Sequence, residues 1–123
     1  RGELILVVDD ESAIDVAIES TLTNHNYRVI TAKNGIEAIA FYAQYKHEID
    51  LVLIDMMMPE MDGTTAIQAL QRINPQIQIV AMSGMKSATA IAQATNSSIQ
   101  GFLPKPFTSQ ELLKTLRQVL RAA

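Results

Sequence analysis

The sequence predicts an α/β fold: a doubly wound, five-stranded parallel sheet made of five β-α units. Three observations predict it. Short apolar runs without polar alternation recur along the chain, which marks strands buried on both faces. Longer amphipathic stretches at helical spacing separate these runs. No linker, repeat or low-complexity segment breaks the alternation, so one domain spanning residues 1–123 is expected.

Each element has its own signal. Residues 4–8 (LILVV) are continuously apolar and end abruptly in Asp9, Asp10 and Glu11. Ser12 is then expected to cap a helix, with Asp15 three residues on as a weaker capping-box partner. Ile14, Ile18 and Leu22 give that helix its core face. Residues 27–31 read as the second strand. Asn34 and Glu37 form an N-x-x-E start signal, and Ile36, Ile39, Ala40 and Ala43 are expected to face the core. Residues 51–54 form the third strand and end in Asp55. A loop with Pro59 and Gly63 follows. Ala66, Ile67, Leu70 and Ile73 mark the next helix, which stops at Asn74-Pro75. Residues 77–82 are the fourth strand, followed by Ser83 and Gly84. The alanine- and threonine-rich stretch 87–95 reads as a helix. Residues 101–103 are a short fifth strand, closed by Pro104-Lys105-Pro106. Thr108 and Glu111 form a T-x-x-E capping box ahead of a stripe of Leu112, Leu113, Leu116, Val119 and Leu120.

Composition bounds what such a chain can do. A 13.5 kDa chain should expose about 6,500 Å² when folded, against about 19,600 Å² extended, so roughly two thirds of its surface can be buried. Hydrophobic residues make up 48% and charged residues 19%, which excludes a disordered or collagen-like chain. There is no cysteine, so disulfides, thiolate metal sites and cysteine nucleophiles are excluded. The net charge is −3 and no basic block occurs, so direct nucleic-acid binding is not expected. No apolar stretch approaches the roughly 20 residues of a membrane span, so no membrane contact is expected of this domain. The chain opens on Arg1 with no visible signal peptide; a piece of a longer, cytoplasmic protein is the expectation.

The residues ending the strands carry the chemistry. The first strand ends in Asp9 and Asp10, the third in Asp55, the fourth in Ser83, and Lys105 follows the fifth. In a parallel sheet these converge on one rim, where the ligand sites of such folds lie. One acid at a strand end is usually a turn or helix-start residue. Three acids, a hydroxyl and a lysine on the same rim are hard to obtain from turn chemistry. Like charges raise one another's pKa, so the acids need a cation, a lysine, or both. An all-oxygen site suits a hard ion such as Mg²⁺, which takes one or two carboxylates and a phosphate oxygen. Lysine and serine can bind further phosphate oxygens. One carboxylate can then act as a nucleophile toward phosphorus.

At these residues the chain resembles a response-regulator receiver domain of two-component signalling, a flavodoxin-like fold. The resemblance rests on residues 4–11 (LILVVDDE), 55–63 (DMMMPEMDG), Ser83-Gly84 and 101–107 (GFLPKPF), and covers nearly the whole chain in order. It implies that Asp55 is the phosphoacceptor. It further implies that Asp10 ligates Mg²⁺ directly, that Asp9 acts through water, and that Met57 lends its backbone carbonyl. Ser83 matches the switch hydroxyl, Lys105 the lysine that binds the phosphoryl group, and Phe102 the switch aromatic. A cis peptide between Lys105 and Pro106 is implied as well. The implied partner is a histidine kinase or a histidine phosphotransfer domain, with a small phosphodonor as substitute. The implied response is a changed affinity on the surface of the 87–95 helix, the fifth strand and the last helix; homodimerisation stays open. Phe102 stands where many relatives have tyrosine, and residues 95–100 (TNSSIQ) are more polar than usual for the family. Met57 and Met85 flank the implied path of the hydrolytic water; neither orients water strongly, so a long-lived phosphoryl group is expected. Gly2-Glu3-Leu4-Ile5-Leu6 and DMMMP are similar to receivers fused behind a histidine kinase core, which favours a hybrid-kinase fragment over a stand-alone receiver.

Other readings fall behind. A haloacid-dehalogenase-type phosphatase wants a second acid where Met57 stands. A nucleotide-binding domain wants a P-loop or G-x-G-x-x-G, and neither occurs. A flavin module would need a phosphate loop where this chain has Asp-Asp-Glu. A receiver-like binding module that ignores phosphate lacks support, because no residue needed for phosphorylation is missing. His25 and His47 sit near predicted helix ends without a second ligand at metal spacing. Lys114, Arg117 and Arg121 share one face of the last helix, read as a solvated face, with docking of an acidic partner as the sharper alternative.

Overall fold

Five apolar runs become strands and four amphipathic stretches become helices in the computed structural model, which describes residues 2–56, 63–83 and 99–122. In chain order these are β1 (Leu4–Val8), α1 (Ser12–Thr23), β2 (Arg28–Ala32), α2 (Gly35–Tyr45), β3 (Ile49–Asp55), α3 (Gly63–Ile73), β4 (Ile79–Ser83), β5 (Gly101–Pro104) and α4 (Ser109–Ala122). The expected helix at 87–95, with Met57, Pro59, Gly84 and Met85, lies outside the described residues. All pairings are parallel and the strand order is β2-β1-β3-β4-β5. The direction of winding reverses beside β1, so the crevice forms where β1 and β3 end.

Period-two alternation sends successive residues of each central strand to opposite faces. Leu4, Leu6, Val8, Val52, Ile54, Ile79 and Ala81 pack with Ala38, Tyr42, Ala66, Ile67 and Leu70 of α2 and α3. Ile5, Val7, Leu51, Leu53, Val80 and Met82 pack with Ile18 and Leu22 of α1 and with Leu112, Leu113, Leu116 and Val119 of α4. Both faces are covered, which is why β1 is buried throughout.

Two helix starts follow the local signals. Asn34 Oδ1 accepts from the Glu37 amide at 2.8 Å, and Glu37 Oε1 accepts from the Lys33 amide at 2.9 Å. Thr108 and Glu111 exchange side-chain and backbone hydrogen bonds at 2.8 and 3.0 Å, a complete capping box.

Several expectations need correction; β3 opens at Ile49 rather than at residue 51, and β4 at Ile79 rather than at residue 77. The N-cap of α1 is Glu11, not Ser12, and no side chain caps it. The turn into α1 is made instead by Asp9, whose Oδ1 accepts from the Glu11 amide at 2.9 Å. β2 starts one residue later than expected, because the Arg28 amide enters the ladder by donating to the Glu3 carbonyl. The buried face of α2 is Ala38 and Tyr42 rather than Ile36, Ala40 and Ala43; Ile36 is 58% exposed. The Tyr42 ring turns the helix that way, since it is fully buried and its hydroxyl accepts from Asn74 Nδ2 at 2.9 Å.

Candidate functional site

The three strand ends that carry acids or hydroxyls are adjacent because of register. Val8 pairs with Ile54, so Asp9 and Asp55 continue neighbouring strands at one level. Asp55 pairs with Met82, and Ser83 with Pro104, which brings Ser83 and Lys105 to the same rim one step further along. The Lys105 amide donates to the Ser83 carbonyl at 2.7 Å and holds the two segments together. The Lys105–Pro106 peptide is cis.

Burial separates the roles of the acids. Asp9 is fully buried, Asp55 nearly so, and Asp10 is exposed. Lys105 Nζ lies 3.0 Å from Asp9 Oδ2 and 3.3 Å from Asp55 Oδ2. Burial lowers the pKa of the Lys105 ammonium, but its hydrogen bond to Asp9 and the charge of Asp55 outweigh this and hold it above its ordinary value. Ser83 is fully buried. Phe102 is half-buried on β5 and packs against the sheet face covered by α2 and α3.

A metal fits the donor set. One carboxylate oxygen each from Asp9, Asp10 and Asp55 lies within 4.8 Å of the other two. Hard oxygens from two buried acids and one exposed acid suit a hard divalent cation with part of its water retained. Among the described residues Lys105 brings one positive charge against the three negative ones.

Asp15 belongs to this neighbourhood and was assigned by sequence reasoning only to capping. It is nearly buried, and among the described residues its Oδ1 has no hydrogen-bond partner. Desolvation and the charges of Asp9 and Asp10, opposed by Lys33, raise its pKa to about 7. The signal was available: Asp15 shares a helix face with Ile18 and Leu22, at spacings of three and seven. The folded chain therefore holds this proton more tightly than the unfolded chain, and stability falls as pH rises from about 4 to about 7. Asp15→Asn is expected to flatten that fall in metal-free buffer and to stabilise the chain at pH 8 by about 1–2 kcal/mol, in urea titrations.

Gly63 sets how closely α3 approaches the site. A Cβ there would meet Met56 Cα at 2.6 Å and its Sδ at 2.7 Å. The Gly63 amide donates to the Met56 carbonyl at 3.2 Å. Gly63→Ala would gain helix propensity of up to about 1 kcal/mol, but the backbone at Met56 must move to admit it. The expected net result is a loss of about 1–3 kcal/mol in urea unfolding.

His25 and His47 are both exposed, and His25 Nδ1 lies 3.0 Å from the Thr21 carbonyl oxygen. Lys114, Arg117 and Arg121 are exposed on α4.

Known proteins agree with this arrangement. The response regulator receiver domain family matches residues 5–117. The chemotaxis protein CheY of Bacillus subtilis is 32% identical over 117 residues, covering 94% of this chain and 96% of that protein. The sensor kinase CckA of Brucella abortus is 33% identical over 116 residues, covering 94% of this chain but only 12% of the kinase. Among solved structures, the chemotaxis protein CheY4 of Vibrio cholerae superposes with a TM-score of 0.89 at 29% identity, covering 97% of this chain and 99% of that one.

Proposed function

The chain belongs to the response regulator receiver domain family, and on that premise we propose how its residues take up and hold a phosphoryl group. It is a phosphoacceptor signalling domain rather than an enzyme with a released product. Asp55 is the acceptor. The observation that carries this assignment is the placement of its nearly buried carboxylate beside Asp9, with Lys105 Nζ at 3.3 Å. A lysine shared by two carboxylates is positioned to meet phosphoryl oxygens as they arrive.

An Asp55 carboxylate oxygen attacks phosphorus of a partner's phosphohistidine. The new O–P bond forms as the P–N bond breaks, and the imidazole leaves with the electron pair and takes up a proton. Lys105 and the Ser83 hydroxyl bind the new oxygens. Asp9, Asp10 and Asp55, with the Met57 carbonyl, would hold Mg²⁺, which neutralises charge on the phosphoryl oxygens when bound. Movement of Ser83 toward the phosphoryl group is answered by Phe102, whose half-buried ring can pack further inward. The surface carried by the 87–95 segment, β5 and α4 then changes its affinity for a partner. Met57 and Met85 leave the hydrolytic water without a strong hydrogen-bonding guide, so the aspartyl phosphate is long-lived.

The donor is a histidine kinase or a histidine phosphotransfer domain. The resemblance to part of a sensor kinase favours a receiver, spanning residues 1–123, within a hybrid kinase. We infer a cytoplasmic location, where a histidine phosphodonor of that kind would meet the domain. Among the described residues no helix is long and apolar enough to cross a membrane.

Intact-mass spectrometry after incubation with acetyl phosphate tests the assignment. A single phosphoryl adduct is expected with Mg²⁺ and none with EDTA. Reductive trapping should place the adduct at residue 55. An adduct on a histidine or serine, or one indifferent to Mg²⁺, would sink it.

A further inference from the structure

Asp15 raises a question that phosphoryl uptake by Asp55 does not answer. The residue is 7% exposed, and among the described residues its buried Oδ1 has no hydrogen-bond partner. Buried carboxylate oxygens without partners are rare and unfavourable, and in native proteins they point to a ligand or an ordered water. Asp15 lies in the first turn of α1, the helix that starts two residues after Asp10. The charges of Asp9 and Asp10 reach it, as do those of Glu19 from the next turn and Lys33 from the end of β2.

Asp15 stands outside the set of three carboxylates that approach within 4.8 Å. It follows them in the first turn of α1, within reach of the charges of Asp9 and Asp10. Asp9 is poorly placed to take a further proton itself. Its Oδ1 already accepts from the Glu11 amide and its Oδ2 from Lys105. A small divalent cation in an all-oxygen site keeps several waters, and each water has protons to donate. Groups that receive such protons orient the ligands and tune affinity.

We propose that Asp15 is a positioning residue of the cation site: its Oδ1 accepts a hydrogen bond from a water carried by the cation at Asp9, Asp10 and Asp55. The role rests on the receiver reading of that site. It works with the carboxyl ionised or protonated, because the carbonyl oxygen accepts in both states.

The test is Mg²⁺ binding to the unphosphorylated chain, by calorimetry, for the wild type, Asp15→Ala and Asp15→Asn. Asp15→Ala is expected to weaken binding about ten-fold. Asp15→Asn keeps a carbonyl oxygen at the same place and is expected to stay within about three-fold of the wild type. Equal weakening in both variants would assign the effect to lost charge and overturn the role, as would unchanged binding in Asp15→Ala. A measurement without substitution stands beside these: the carboxyl carbon resonance of Asp15 is expected to move on Mg²⁺ addition, and a stationary resonance would overturn the role. Mg²⁺ failing to bind the wild type would overturn the cation site itself together with this role, whereas binding that ignores Asp15 overturns the role alone.

Discussion

Asp55→Asn is expected to abolish the phosphoryl adduct while the chain stays folded. The amide keeps the size and shape of the carboxylate, so the packing of a nearly buried side chain is preserved. Its oxygen can still accept from Lys105. What disappears is the anionic oxygen that attacks phosphorus. An amide oxygen is a far weaker nucleophile, and a loss of at least about 10³-fold, or about 4 kcal/mol of barrier, is expected. The substitution also removes one of three clustered negative charges, so Mg²⁺ should bind more weakly and the metal-free chain should melt at the same temperature or higher. Intact mass, thermal melting in EDTA and a Mg²⁺ titration check the three parts. An adduct forming at the wild-type rate would remove Asp55 from the acceptor role.

Lys105→Ala is expected to act on stability and chemistry together. In the native chain one ammonium, 15% exposed, bridges Asp9 and Asp55. Its loss removes the ammonium that both buried carboxylates share. Removing one partner of a fully buried pair costs about 3–5 kcal/mol, and the partial exposure of this lysine reduces the expectation to about 1–3 kcal/mol. Mg²⁺ supplies charge to the same carboxylates, so the destabilisation should be largest in EDTA and shrink as Mg²⁺ is added. Phosphoryl uptake should fall about 10²-fold even at saturating Mg²⁺, because no cation then meets the incoming oxygens from the β5 side. Lys105→Arg is not expected to restore it, since a planar fork cannot reproduce a compact ammonium between two carboxylates. Urea curves with and without Mg²⁺, and the time course of adduct formation, decide this. Equal stability in EDTA with an unchanged rate would show that the lysine bridge is dispensable.

Local signals in the sequence carried far. The capping boxes at Asn34/Glu37 and Thr108/Glu111 were legible because donor and acceptor lie three residues apart, within one turn. The continuous apolar runs identified the strands, and the residues ending them identified the site, because parallel strands all point their ends to one rim. The stripe on α4 was legible because its aliphatic residues leave only one face to bury.

Longer-range choices were not legible. On α2 the aliphatic positions pointed to the wrong face, because a single buried tyrosine with a partner on a distant segment outweighs three small or exposed residues. At the start of α1, Ser12 had the better propensity, yet Asp9 makes the turn because its carboxylate is already held there by Lys105.

The sequence by itself determined the fold class, the rim on which the acids, hydroxyl and lysine meet, and the family whose chemistry they match. Only the tertiary structure decided which carboxylates Lys105 bridges, that Asp9 is buried while Asp10 is exposed, and that Asp15 is buried with an oxygen unpartnered among the described residues. The reason is physical. Periodicity and capping act within a few residues, whereas the charge state of a carboxylate depends on burial and on neighbours brought from tens of residues away.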